Sequence, residues 1–356
     1  MVGCQRVLDL AWSKGRVLRG PLILSIEKVI MFGIESVGVI RFFAQVSIAV
    51  VGATSLWQFA FLWQSAKAGD RKEGFEKLAR MLMPLCCVAL FVFLVAWGVG
   101  GTILFTQNAA AHEGVRVRLE ADERVQYLRA GFEANLIPVA LLAVVVLVNL
   151  FKRAKLLSLL QFLLASFIMI STYRTGDIDR EQVFFWLHNW HSVFTLGTVI
   201  VTDFLYILTL SQDVLKRALY PFFPVMSAVI LMGLGVDFAS NLLVFEQARM
   251  FTPQFFFSQT AVAILILNGA LLASRINKTL IDLIRKEGIS QLAPPVAKII
   301  GISGSVSIVS WLSITFVDFF ELTLSYSSLM LFYVGAIGMA WFTHKGIEKL
   351  RVSSQH

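Results

Sequence analysis

Nine apolar stretches, most of them about 20 residues or longer, follow one another along this chain. Hydrophobic residues make up 57% of the 356 residues and charged residues only 15%, whereas a soluble domain averages about a quarter charged. About 20 apolar residues cross a bilayer as a helix, and a backbone without water must be helical to satisfy its hydrogen bonds. We therefore predict an all-α, polytopic membrane helical bundle with spans at 42–64, 81–106, 134–151, 156–172, 183–210, 220–243, 254–274, 296–319 and 327–343.

The basic residues predict how this bundle is oriented. The net charge is +8, and the loops on the side of the C-terminus hold 18 Lys and Arg against 7 on the other side. Because basic loops mark the cytoplasmic face, the C-terminus is predicted to be cytoplasmic. The positive charge then contacts the anionic headgroups of the lipid bilayer, and we predict no nucleic-acid partner.

The first 40 residues allow two interpretations. Their basic start precedes an apolar segment at 21–40 that contains Lys28 and Glu35. A tenth span at 21–40 would place the basic start on the cytoplasmic side, but charges at the middle of a span cost a few kcal/mol each. An interfacial amphipathic helix avoids that cost, since Lys28 and Glu35 lie seven residues apart and share a helix face. Both interpretations stay open.

The chain also contains signs of an internal repeat. Unit one covers 41–172 and unit two covers 183–320, and the last span with its cytoplasmic tail follows at 327–356. The positions that match between the units are Gly52 with Gly197, Gln58 with Asp203, Arg80 with Arg217, Pro84 with Pro221, and Asn149 with Asn268. Because four spans is an even number, both units enter the membrane in the same direction, which predicts two parallel four-helix repeats.

The two units differ in the polar residues that they carry within their spans. Asp203 of unit two stands where unit one has the neutral Gln58, and a carboxylate inside the membrane is by default a functional-site hypothesis. A structural role is the alternative, either as an ion pair with Arg217 or through hydrogen bonds to Thr202 and Tyr206. Gln58, Asn149 and Asn268 are predicted to be structural polar residues, the two asparagines as interhelical hydrogen bonds.

A second group of polar residues is predicted at the outer end of unit two. The topology brings His188, His191, Asp237 and Asp318 to the same side of the membrane. His188 and His191 lie three residues apart on one helix and can face one neighbour. Imidazole and carboxylate groups bind a divalent transition metal or relay protons near neutral pH. The alternative is an aromatic belt at headgroup level, formed by these histidines with neighbouring tryptophans.

Other chemistries find little support in the sequence. Met81, Met83, Cys86 and Cys87 are ligand types that favour Cu(I), but they are also ordinary packing residues. The three cysteines provide no disulfide framework. Phosphate-binding glycine loops, nucleophile elbows, His-Glu-x-x-His and paired Cys-x-x-Cys motifs are all absent from the sequence. We therefore predict that the protein is not an enzyme.

One short motif carries a family resemblance. The string from His188 to Gly197 places a histidine nine residues before a glycine at the outer end of a span, and Leu267-Asn268-Gly269 follows in the third span of the unit. Residues 183–275 thereby resemble the copper-resistance D-like proteins and a related group of uncharacterised four-helix bacterial membrane proteins. The resemblance implies a four-helix module of the bacterial cytoplasmic (inner) membrane with His188 as a candidate metal ligand. Unit one departs from it, with Phe43 where His188 would align.

Three functions are compatible with these patterns. The leading one is a permease-like inner-membrane protein that moves or binds a small cation, copper or proton, through unit two. His188, His191, Asp203, Asp237 and Asp318 would form its pathway. The first alternative is a non-catalytic scaffold subunit with a membrane protein partner or in a homo-oligomer. The second is a b-type haem redox protein. A copper ion or haem b is accordingly the cofactor to test for.

Overall fold

A computed structural model describes residues 21–67, 69–110, 123–171, 183, 186–187, 190–209, 212–244, 252–271, 294–319 and 324–353. The contacts divide the chain after Val39, and the packing described below concerns residues from Ile40 onward. Of the predicted functional residues, His188 lies outside the described part. Asp237 and Asp318 lie within described helices, but their side chains are not among those described.

Every regular element in the described part is helical. In chain order the helices are α1 Pro21–Ser65, α2 Lys72–Ala110, α3 Glu123–Lys152, α4 Lys155–Ser171, α5 Thr198–Thr209, α6 Asp213–Leu219, α7 Phe223–Val244, α8 Pro253–Leu271, α9 Pro294–Phe319 and α10 Tyr326–Ser353. Short 3₁₀ turns at Gly69–Arg71 and Tyr220–Phe222 precede α2 and α7, and a π-helical turn at Val193–Gly197 precedes α5. Residues 21–40 are therefore helical, whereas their placement in or on the membrane stays a prediction.

Seven of the helices in the described segments are long and apolar enough to cross a membrane. Two shorter apolar stretches, the helix Lys155–Ser171 and Gly301–Val317 within α9, occupy the positions predicted for the fourth and eighth spans. Such helices satisfy their own backbone hydrogen bonds, which is the requirement for crossing a bilayer. The all-α prediction is confirmed over the described residues, and this is the architecture of a multi-pass membrane protein.

Helices α3 and α4 are joined by a turn of two residues, Arg153 and Ala154. Arg153 adopts a φ of 48°, the left-handed conformation that commonly ends a helix. Asn149 fixes this turn, because its backbone carbonyl accepts the Arg153 N–H at 2.9 Å and its Oδ1 accepts the Ala154 N–H at 3.0 Å. The chain therefore reverses at once, and α4 packs antiparallel along α3.

The first helices of the two predicted units cross at their matching glycines. A methyl group on Gly197 would overlap the carbonyl oxygen of Ala49 and lie 2.7 Å from Cβ of Ala53. A methyl group on Gly52 would lie 2.8 Å from Cγ1 of Val193. Glycine at a helix crossing allows the two backbones to approach closely, as is common in membrane bundles.

The main core is shared between the residues of the two predicted units. Fully buried side chains from α1, α2 and α3 pack in one cluster with those from α5, α6 and α7, among them Phe61, Leu142, Leu205 and Leu219. A second cluster joins α5, α7, α8 and α9, and a third joins α8 and α9 to α10 through residues such as Phe257 and Tyr333. Residues from Ile40 onward accordingly form one compact body.

Candidate functional site

A buried polar cluster lies inside unit one, between α1, α3 and α4. Asn149 Nδ2 donates to Ser158 Oγ and to Gln161 Oε1, both at 3.0 Å. Ser55 Oγ reaches Gln161 Oε1 at 3.4 Å, and Ser158 Oγ reaches Gln58 Oε1 at 3.5 Å. All five side chains are at most 2% exposed. Unit one therefore holds its third and fourth helices to its first through neutral hydrogen bonds.

The composition of this cluster indicates a framework role. Amides and hydroxyls do not change charge between pH 5 and 8, so none of these groups is a site that takes up or releases net protons in that range. Gln58 Nε2 also donates to the Ala79 carbonyl oxygen at 3.2 Å, which ties α1 to α2. Gln161 Nε2 has no acceptor within the described part of the chain. The cluster thus links the four helices of unit one.

Replacing Asn149 with leucine should lower the free energy of unfolding by about 2 kcal/mol, because interhelical hydrogen bonds are each worth about 0.6–2 kcal/mol. The change removes both Nδ2 bonds and also leaves the Ala154 N–H of the turn without its acceptor. Thr343→Val is the control, since the exposed Thr343 hydroxyl bonds only to its own helix. Reversible unfolding in mixed micelles, followed by circular dichroism, measures the stability of both variants. Equal losses of stability would contradict the framework role of Asn149.

Unit two has a corresponding polar group between α8 and α9. Asn268 Nδ2 donates to the Ser303 carbonyl oxygen at 3.0 Å, and Ser303 Oγ donates to Asn268 Oδ1 at 2.7 Å. Asp203 faces the neighbouring position of α9, because a methyl group on Gly304 would lie 3.5 Å from Asp203 Oδ1. Gly304 is thus a neighbour of the Asp203 carboxylate on α9, whereas in unit one Ser158 lies beside Gln58.

Asp203 is half-buried, and the structure assigns its carboxylate no hydrogen bond or ion pair with the described residues. The Thr202 hydroxyl donates instead to the Thr198 carbonyl oxygen at 2.6 Å and contacts Met226 Sδ at 3.6 Å. Arg217 is exposed and forms no ion pair with Asp203. The predicted ion pair with Arg217 and the predicted hydrogen bond from Thr202 are therefore wrong, and none of the described hydrogen bonds joins Tyr206 to Asp203.

His191 lies at the start of the same span, just before the π-helical turn. Its side chain is 6% exposed, and its ring centroid lies 6.5 Å from that of Trp311 on α9. The His191 carbonyl oxygen accepts a hydrogen bond from Thr195 Oγ1 at 3.0 Å inside the turn. π-Helical turns occur frequently at functional sites because they displace side chains from the regular helical register.

Asp203 and His191 both border one face of α9. Their neighbours Gly304 and Trp311 lie seven residues apart, which is two helical turns and returns to the same face. Asp203 and His191 themselves are twelve residues apart, or about 18 Å along the helix axis. The two groups therefore cannot share one metal ion, but they can serve one pathway along α9.

Of the predicted outer site, His191 is the residue whose side chain the structure describes. The described residues contain no group of three or more His, Cys, Asp and Glu side chains that could hold a metal ion. Cys86 is fully buried against the hydroxyls of Thr54 and Ser55. Trp190 is one of the tryptophans that the aromatic-belt alternative groups with the histidines, and it packs edge-on against Phe194 with centroids 4.9 Å apart.

Sequence reasoning named Gln58, Asn149 and Asn268 but missed four members of the polar clusters, Ser55, Ser158, Gln161 and Ser303. A signal for two of them was present in the fourth span. Ser158 and Gln161 stand three residues apart in an otherwise apolar helix, which places them on one face.

Comparison with protein-family models, with curated proteins and with solved structures finds no match to this chain. The copper-resistance D-like resemblance therefore rests on its short motif alone.

Proposed function

We propose that this chain is an integral membrane permease that moves a small cation, specifically the proton, along unit two. The observation that carries the proposal is the placement of Asp203. A carboxylate within a membrane span is costly, by a few kcal/mol on insertion scales. At Asp203 no hydrogen bond or ion pair with the described residues offsets this cost. A group that binds and releases a proton explains such a carboxylate, because the neutral form is inexpensive to bury.

The proposed pathway follows the face of α9 that Asp203 and His191 share. Asp203 is the inner station and His191 the outer one, and Ser307 lies between their neighbours Gly304 and Trp311 on α9. Hydroxyl groups and water can pass a proton between stations that are too far apart for direct transfer. In the proposal His188, Asp237 and Asp318 form the outer access site, from which His191 receives its proton.

The proton is favoured over copper by the spacing of the candidate ligands. Copper needs several donors around one ion, whereas Asp203 and His191 stand about 18 Å apart along the helix axis. A proton, by contrast, binds to a single titratable group at each position along the pathway. Copper bound by His188 and His191 remains the second form of the cation proposal, and it rests on the motif from His188 to Gly197.

The proposal includes the arrangement of the spans. Nine spans form two parallel four-helix repeats at 41–172 and 183–320 with a final span, in the bacterial inner membrane with a cytoplasmic C-terminus. The crossing of Gly52 and Gly197 at the two first helices supports the repeat. The two asparagine–serine pairs, Asn149 with Ser158 and Asn268 with Ser303, support it as well. Unit one would then be the framework and unit two the conducting copy.

Proton flux through the purified protein tests the function. The full chain is reconstituted into liposomes that contain a pH-sensitive dye, and an inward pH gradient is imposed with a potassium ionophore to balance charge. We expect the gradient to collapse faster than in protein-free liposomes. No acceleration together with a stoichiometric co-purified protein would favour the scaffold alternative. A Soret band in the absorption spectrum that disappears on His188→Ala would favour the b-type haem alternative.

A further inference from the structure

A half-open cavity of about 650 Å³ lies at the C-terminal end of α1, just before Lys67 and outside the proposed proton pathway. It is bounded by the last three turns of α1, by Arg71 and Phe75 of the following segment, and by the start of α7. Volumes of about 300–1,000 Å³ are typical of sites that bind small molecules. The cavity is therefore large enough to hold part of a lipid-sized ligand.

The inner wall of the cavity is aromatic and firmly packed. The Phe222 ring makes edge-to-face contacts with Trp57, Phe61 and Phe75, with centroid distances of 6.4, 5.1 and 5.6 Å. Trp57 is 3% exposed, and its Nε1 donates to Thr198 Oγ1 at 3.2 Å. Val225, which is 52% exposed, extends the apolar surface outward from Phe222. This part of the cavity suits a hydrocarbon chain.

The mouth of the cavity is cationic. Its two charged lining residues, Lys67 and Arg71, are both basic and exposed. Lys67 Nζ lies 5.0 Å from the centroid of the Trp63 ring, and Lys155 Nζ lies 5.1 Å from the same ring. These cation–π contacts place both ammonium groups beside the Trp63 ring. A mouth whose charged residues are all basic favours an anionic ligand.

The length of the cavity matches one leaflet of a bilayer. From Trp57 to the end of α1 at Ser65 is eight residues, or about 12 Å along the helix axis, and Lys67 lies two residues beyond that end. Half of a hydrocarbon core of about 30 Å is about 15 Å, which is close to this length with the turn added. A ligand with its anionic group at the mouth would therefore extend its apolar part to the depth of the leaflet centre.

We propose that this cavity binds an anionic phospholipid. The headgroup phosphate lies between Lys67 and Arg71, where a guanidinium can hold two phosphate oxygens. One acyl chain lies against Trp57, Phe222 and Val225. A soluble phosphate compound would contact the basic mouth but not the aromatic wall. The wall therefore makes the cavity specific for a lipid.

The proposal is tested by native mass spectrometry of the full chain, titrated with phosphatidylglycerol or phosphatidylcholine. The wild type should bind phosphatidylglycerol more tightly than phosphatidylcholine. Because each basic side chain near anionic lipid contributes a factor of about five, the double variant K67A/R71A should weaken phosphatidylglycerol binding about twenty-five-fold. Phosphatidylcholine binding should hardly change.

The matched control is K72A/R80A, which removes one Lys and one Arg from the same segment but not from the cavity lining. It should leave phosphatidylglycerol affinity within about twofold. Val225→Trp fills the part of the cavity that would hold the acyl chain. It should weaken phosphatidylglycerol binding while leaving the basic mouth unchanged. Equal losses in K67A/R71A and K72A/R80A, equal binding of the two lipids by the wild type, or full displacement of the lipid by inorganic phosphate would each overturn the proposal.

Discussion

Replacing Asp203 with asparagine should reduce proton flux to the level of protein-free liposomes while the protein stays inserted and folded. Asparagine has nearly the same shape as aspartate, so its contact with Gly304 is kept. It cannot take up and release a proton, and the inner station is lost. Because removing the carboxylate also removes the cost of a charge in the membrane, stability should stay equal or rise. The measurement is dye-reported flux from matched amounts of reconstituted protein.

Thr202→Val is the matched control for this variant. It removes a polar group from the adjacent position of the same helix, but the Thr202 hydroxyl bonds to its own helix and to Met226 rather than to Asp203. Flux through Thr202→Val should stay within about twofold of the wild type. Full flux through Asp203→Asn would remove the inner station from the proposal. Equal loss in both variants would show that any change in this helix disrupts the bundle.

Alanine at Gly197 should lower the free energy of unfolding by about 3 kcal/mol, at the upper end of the usual cost of overpacking. Its methyl group would meet the Ala49 carbonyl oxygen, which is backbone and cannot move away without shifting α1. The crossing of the first helices of the two units would then have to widen along its whole length. Unfolding in mixed micelles, followed by circular dichroism, provides the measurement.

Alanine at two other glycines provides the controls for Gly197→Ala. Gly52→Ala would meet Val193, a side chain that can shift by rotation, and should cost about 1–2 kcal/mol. Gly235→Ala meets nothing within 4 Å and should be neutral or stabilise by about 0.5–1 kcal/mol, since alanine is the better helix former. The loss of stability is therefore expected to decrease in the order Gly197→Ala, Gly52→Ala, Gly235→Ala. Equal effects at the three positions would contradict the described helix crossing.

The helices themselves were largely predictable from the sequence, because the length and apolarity of a span are local properties. The positions predicted for the fourth and eighth spans correspond to Lys155–Ser171 and to the apolar stretch Gly301–Val317 within α9. The extent of α1, which begins at Pro21, was not predictable. Its apolar pattern around Lys28 and Glu35 fitted two placements equally well.

The partners of the polar residues were less predictable, since they depend on which helix faces which. Asn149 was predicted to form an interhelical bond, and although Ser158 and Gln161 share one helix face, the sequence did not indicate that this face meets Asn149. The location of Asp203 beside Gly304 likewise depends on the packing of α5 against α9, two elements about 100 residues apart. Unit one also proved richer in buried polar groups than the comparison of Gln58 with Asp203 suggested.

The most direct test of the central claim is whether the Asp203 carboxyl group itself binds and releases protons. Infrared difference spectroscopy of the reconstituted protein, recorded between acidic and alkaline pH, detects the carbonyl stretch of protonated carboxyl groups. The account predicts a pH-dependent carboxyl band in the wild type that is missing from Asp203→Asn and retained in Thr202→Val. An identical set of carboxyl bands in the wild type and in Asp203→Asn would contradict it.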